Sequence, residues 1–188
     1  MEFNRDQIDF LAQAVVARIS GGPHSAPSRA SVSTPTRAPL SKSKVDYATL
    51  DEAVAAARTA QPKWVGISVE KRKEIIAHIR AALLPRVEEL SKLAVEETGL
   101  GRYEDKLSKN RLVILKTPGP EYLEATAFTG DDGLALIEYA PFGVIGSITP
   151  TTNPSETVIN NSISMLSAGN TVVFNPHPSA KNVSRLSM

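Results

Sequence analysis

The chain of 188 residues contains no cysteine. That excludes disulfides, thiolate metal sites and a cysteine nucleophile within it. It also lacks an excess of charge of either sign, with 21 basic against 20 acidic residues. Such a balance gives no field to gather nucleic acid or an anionic membrane, so neither is expected as a partner. No apolar run approaches the ~20 residues that a bilayer-spanning helix needs, and the expectation is a soluble protein with no membrane contact. The three histidines, His24, His78 and His177, are far apart, so no metal site is expected. No internal repeat is visible. The GxGxxG fingerprint of dinucleotide-binding folds is missing too: Gly143 and Gly146 fall inside an apolar strand rather than after it.

The first stretch that is well patterned is residues 1–20. Ile8, Leu11, Val15 and Ile19 make an apolar stripe at helical spacing, and Asn4 with Gln7 resembles a capping box. Glu2, Asp6 and Asp9 argue against a mitochondrial presequence, and there is no basic start or apolar core for a secretory signal. Residues 21–44 are almost wholly Gly, Pro, Ser, Ala, Thr and basic residues. Such a segment reads as a disordered linker. An amphipathic helix on a tether either packs on its own domain or docks its stripe on a partner.

The globular part is expected over 45–188. Helices are read over 46–61 (capped by Thr49 with Glu52, and ended by Pro62 to Trp64), 68–84 (capped by Ser68), 85–99 and 103–115. Leu107, Leu112 and Leu115 are assigned to the inward face of the last. Trp64 is expected to anchor the first of these helices on the second, and His78 to be structural or solvent-facing. A short helix from Glu121, a turn at Asp131 to Gly133 and a strand over 134–139 follow.

Residues 140–181 organise the rest. An apolar strand over 143–149 meets the elbow Pro150-Thr151-Thr152-Asn153-Pro154. Val158, Ile159, Ile163 and Leu166, with Met165, then recur at helical spacing until Ala168-Gly169-Asn170. A second apolar strand over 171–174 ends in the turn 175–179. This is a βαβ unit, whose two strands should be parallel and buried. Its polar turns, 149–153 and 175–179, fall at the carboxyl ends of the strands, where such sheets hold ligands. Asn153 carries a planar N–H₂ donor that could stabilise an oxyanion. Asn-Pro is also an ordinary turn dipeptide that caps a following helix, and the residues alone leave both readings open.

Pro141-Phe-Gly-Val-Ile-Gly146, Ile148-Thr-Pro150, Asn153-Pro154, Ala168-Gly-Asn170 and Val172-Val-Phe174, in this order, resemble the aldehyde dehydrogenase superfamily. The form TPTTNP…INNSISMLSAGN…VVFNPHPSAK is similar to its CoA-acylating branch, and among that branch to the acetaldehyde and propionaldehyde dehydrogenases of bacterial microcompartments. The resemblance covers 45–188 and implies an α/β fold: a helical layer followed by the start of a Rossmann-like parallel sheet. It implies oxidation of a short-chain aldehyde with NAD and coenzyme A to an acyl-CoA and NADH. Asn153 then matches the oxyanion-hole asparagine that faces the hemithioacetal and thioester intermediates. Thr149, Pro150, Thr151 and Thr152 match the turn beneath the nicotinamide ribose and phosphates, and Asn175, His177, Pro178 and Ser179 match the loop at the adenosine end. The hydrolytic branch has a lysine and a glutamate where this chain has Asn175 and Pro178, so a looser dinucleotide grip is implied. The family's thiolate nucleophile is absent, and the expectation is the amino-terminal part of a longer, homo-oligomeric enzyme, inactive alone. Residues 1–20 resemble an encapsulation peptide, which implies a microcompartment shell protein as partner and a place in the cytoplasm, inside the microcompartment. A fragment of a hydrolytic aldehyde dehydrogenase and a non-catalytic docking module stand as alternatives.

Overall fold

The computed structural model describes residues 46–188. The helix expected over 1–20 and the linker over 21–44 lie outside the described residues. Four helices come first: α1 Leu50–Val65, α2 Val69–Leu83, α3 Val87–Thr98 and α4 Tyr103–Lys116. A hairpin follows, β1 Thr126–Gly130 and β2 Gly133–Ile137. Next come β3 Val144–Thr149, α5 Pro154–Ser167, β4 Thr171–Pro176 and a short α6, Lys181–Leu186. No helix among the described residues is long and apolar enough to cross a membrane.

The helix starts follow from side-chain chemistry. Thr49 and Glu52 form a reciprocal capping box on α1, and the Ser68 hydroxyl accepts from the Lys71 amide at the start of α2. Gly99, at φ 66°, closes α3 in the left-handed conformation that glycine adopts without strain. Pro62 does not end α1 as expected; the helix continues through Trp64 to Val65. Proline in a last turn forfeits one backbone hydrogen bond. Two side chains hold that turn in place, with Gln61 donating to the Gly169 carbonyl at 2.9 Å and Trp64 Nε1 to the Leu166 carbonyl at 3.0 Å. Trp64 therefore anchors α1 to the end of α5, rather than to α2 as expected.

The core lies between α2, α3, α4 and α5: Ile76, Val87, Leu90, Ile114, Ile159 and Ile163 are all at most 2 % exposed. A second cluster, Leu93, Ala94, Ala180 and Val183, joins α3 to α6. On α4 the inward face is not the expected one. Leu112 and Leu115 are 59 % and 50 % exposed, whereas Lys106, Asn110 and Ile114 are buried at i, i+4 and i+8. Asn110 donates to the Ser91 hydroxyl and to the Lys106 carbonyl, each at 3.1 Å, which offsets the desolvation of its N–H₂ group, while its Oδ1 has no hydrogen-bond partner among the described residues. His78 is exposed, with Nδ1 2.7 Å from the Glu74 carbonyl.

The helix expected from Glu121 is a single 3₁₀ turn, Pro120–Tyr122, after which the chain extends as β1. Thr126 pairs with Ile137 and Gly130 with Gly133, so Asp131 and Asp132 form the loop of a two-stranded antiparallel hairpin. Strands β3 and β4 are parallel as expected, running in register from Val144 opposite Thr171 to Thr149 opposite Pro176. Their burial is one-sided. Ser147 and Thr149 turn toward the helices, while Ile148 between them is 83 % exposed. The expectation of two buried faces fails because the described helices cover one side of the pair.

Candidate functional site

The register of β3 on β4 sets the two polar turns beside each other. The elbow that leaves Thr149 and the turn that leaves Pro176 are joined directly, since the His177 amide donates to the Thr149 carbonyl at 3.1 Å. Pro150, Thr152, Asn175, His177, Pro178 and Ser179 are all exposed along this edge, and Thr151 and Asn153 are half-buried. Thr149 differs. Its side chain is 1 % exposed on the helix side, and its hydroxyl has no hydrogen-bond partner among the described residues. His177 Nδ1 accepts from the Ser179 amide at 3.1 Å, which caps the turn Pro178–Ala180.

Asn153 occupies the N-cap position of α5, and its carbonyl accepts from Thr157 at 3.0 Å. Its side chain makes no capping bond. The Oδ1 atom instead faces the Lys109 ammonium at 3.5 Å. An ammonium has donors only, so the oxygen must be the atom on that side and the N–H₂ points away from it. That Nδ2 group has no hydrogen-bond partner among the described residues.

Beneath the elbow lies a charge pair that the sequence reading missed. Lys106 on α4 and Glu156 in the first turn of α5 are 2 % and 5 % exposed. The Lys106 ammonium donates to the Thr152 carbonyl at 2.5 Å and lies 3.4 Å from Glu156 Oε1, a distance of ionic attraction without hydrogen-bond alignment. Glu156 Oε2 accepts from the Ser155 hydroxyl at 3.1 Å. A carboxylate in the first turn is also favoured by the positive end of the helix dipole. The second turn has its own brace. Glu97 at the end of α3 accepts from the Asn182 and Val183 amides at 2.8 and 2.7 Å, fixing the chain just after residues 177–180. The signals for these residues were present as positions alone. Lys106 and Asn110 share a face with Ile114, and Asn153 with Glu156 has capping-box spacing that neither side chain uses.

The edge thus offers neutral hydroxyls, two carboxamides, an imidazole and backbone groups. The two carboxylates lying against it, Glu156 and Glu97, are both engaged. Such a donor set fits a ligand bearing hydroxyls and phosphates, and a dinucleotide is of that kind.

The profile of the aldehyde dehydrogenase family matches residues 28–187. The chain is 54 % identical over 139 residues to the acetaldehyde dehydrogenase (acetylating) EutE of Escherichia coli, covering 74 % of this chain and 29 % of EutE. It superposes with a TM-score of 0.74 and 53 % identity on the Rhodopseudomonas palustris propionaldehyde dehydrogenase crystallised with CoA and an acylated cysteine; the match covers 78 % of this chain and 34 % of that one. A propionaldehyde dehydrogenase from the fucose utilisation microcompartment of Clostridium phytofermentans gives a TM-score of 0.73 at 48 % identity, covering 76 % and 33 % of the two chains. The chain spans about a third of the length of the proteins it matches.

Proposed function

The chain belongs to the aldehyde dehydrogenase family, and we propose that it forms the amino-terminal part of a CoA-acylating member. The reaction is oxidation of a short-chain aldehyde, with NAD and coenzyme A, to an acyl-CoA and NADH. The observation that carries this reading is the Asn153 carboxamide. It stands at the carboxyl end of β3 with its oxygen turned to Lys109 and its N–H₂ unengaged. A preorganised donor of this kind lowers the barrier wherever a carbonyl oxygen gains negative charge. Thr151, Thr152, Asn175, His177 and Ser179 are the groups that would hold NAD, with main-chain atoms of Thr149, Pro150 and Pro178 shaping the edge. NAD, when bound, accepts the hydride. The thiol that attacks the aldehyde is supplied from outside these 188 residues, which contain no cysteine. The microcompartment origin of one close relative supports a place in that compartment, with residues 1–20 as the docking segment for a shell protein.

The test is a chimera in which residues 46–188 replace the matching segment of EutE. NADH formation is followed with acetaldehyde or propanal, with and without CoA. NADH should form only when CoA is present, and Asn153→Ala should lower kcat by about 10²–10³-fold. CoA-independent turnover would favour the hydrolytic alternative, and an unaffected Asn153→Ala would remove the oxyanion role.

A further inference from the structure

We propose that Lys106 is a positioning residue: from inside the fold its ammonium pins the Thr152 carbonyl and thereby sets the path of the chain into Asn153. The inference rests on the reading of Asn153 given above and extends it to the group that holds Asn153 in place. Three elements meet at one buried cation. Lys106 comes from the first turn of α4, Glu156 from the first turn of α5, and Thr152 from the elbow between β3 and α5. The 2.5 Å contact to the carbonyl is the short one; the 3.4 Å approach to Glu156 supplies countercharge without an aligned hydrogen bond. Thr152 directly precedes Asn153, so fixing its carbonyl fixes the peptide plane from which Asn153 departs. One turn further along α4, Lys109 reaches the same residue from outside and orients its carboxamide. Helix α4 thus places both the main chain and the side chain of Asn153.

A buried ion pair adds little net stability, because desolvation of both charges offsets their attraction, and apolar replacement of the whole pair is often neutral. That property separates a positioning role from a merely structural one. Lys106→Met alone leaves Glu156 buried and unpaired, and it should lower the thermal midpoint. The double variant Lys106→Met/Glu156→Leu removes both charges and should regain most of that midpoint. It still lacks a donor for the Thr152 carbonyl.

The experiment uses the isotopically labelled 188-residue chain and ¹⁵N relaxation. In the wild type the amides of Thr151, Thr152 and Asn153 should be ordered, with order parameters of about 0.85. In the double variant they should fall below about 0.6 while those of α3 stay high, and the Asn153 side-chain amide signal should broaden. Lys109→Met serves as the control and should alter the Asn153 side-chain signal with the elbow backbone still ordered. An elbow as ordered in the double variant as in the wild type would overturn the proposal. No aldehyde or CoA enters this measurement. A loosened elbow together with an unaffected Asn153→Ala in the EutE chimera would therefore sink the catalytic reading and leave the positioning role standing.

Discussion

Gly169→Ala is expected to be among the most damaging small substitutions in this chain. Gly169 follows α5 at φ 81°, the left-handed region. A methyl-bearing residue held there is strained by about 1–2 kcal/mol. Its Cβ would also lie 3.0 Å from Arg72 Nη1, tight enough that the guanidinium must give by a few tenths of an ångström. Arg72 cannot retreat freely, because Nη1 donates to the Ser167 carbonyl at 2.6 Å and Nε to the Ile67 carbonyl at 3.2 Å. Displacing it forfeits part or all of a charge-assisted hydrogen bond to a helix C-terminus, about 0.5–3 kcal/mol. Together these give about 1.5–5 kcal/mol. At about 2–4 °C per kcal/mol for a chain of this size, the midpoint should fall by roughly 3–20 °C. The assay is a thermal double-mutant cycle by circular dichroism with Arg72→Ala. In the Arg72→Ala background the clash is gone, and Gly169→Ala should cost only its backbone strain, a coupling of about 0.5–3 kcal/mol. Strict additivity would refute the clamp. A midpoint raised by Gly169→Ala would refute the left-handed termination itself.

Other outcomes follow from single contacts. Glu97→Ala removes the acceptor for the first free amides of α6 and should cost about 1–2 kcal/mol in denaturant unfolding. Leu112→Lys, on an exposed position, should change stability by no more than about 0.5 kcal/mol, whereas Ile114→Ala in the core should cost about 2–5 kcal/mol. Thr149→Val replaces a buried hydroxyl that has no partner and should leave the unliganded protein as stable or up to about 1 kcal/mol more so. The bidentate hydrogen bonds from Arg102 hold the Asp105 carboxyl below the usual carboxylate range. Because the folded value is depressed, this small contribution is present above the unfolded value and fades as pH falls through the folded one. An NMR titration should show Asp105 titrating low, and Arg102→Gln should return it toward the ordinary value.

Local chemistry made much of the fold readable. The caps at Thr49 and Ser68, the stop at Gly99 and the stripe Val158, Ile159 and Ile163 are decided within a few residues, and all lie where the sequence places them. The failure at Pro62 has its cause in partners distant in sequence. Pro62 looked like a terminator because its neighbours alone cannot hold another turn. Trp64 and Gln61 hold it by donating to carbonyls at the far end of α5, about a hundred residues on. The short helix expected from Glu121 fails for a nearer reason, since Thr126–Gly130 pairs with β2 across a two-residue loop.

Helix α4 shows why the site was half legible. A hydrophobic count turns Leu112 and Leu115 inward, since leucine is assumed to be the residue that gains from burial. The fold instead buries Lys106 and Asn110, because each meets a partner fixed on another element: Thr152 and Glu156 for one, Ser91 for the other. Burying a polar group costs least when such partners exist, and nothing in a linear pattern reveals them. Asn153 was legible as a carboxamide at a strand end because the βαβ order alone puts it there. What its carboxamide faces was not legible, since Lys109 reaches it, and Lys106 the preceding Thr152 carbonyl, from a helix more than forty residues earlier. The chemistry of this edge thus depends on a helical layer that the motif-bearing segment does not contain. A graft of residues 140–181 alone would carry every recognisable motif and lack both the cation that faces its carboxamide and the one that holds the Thr152 carbonyl.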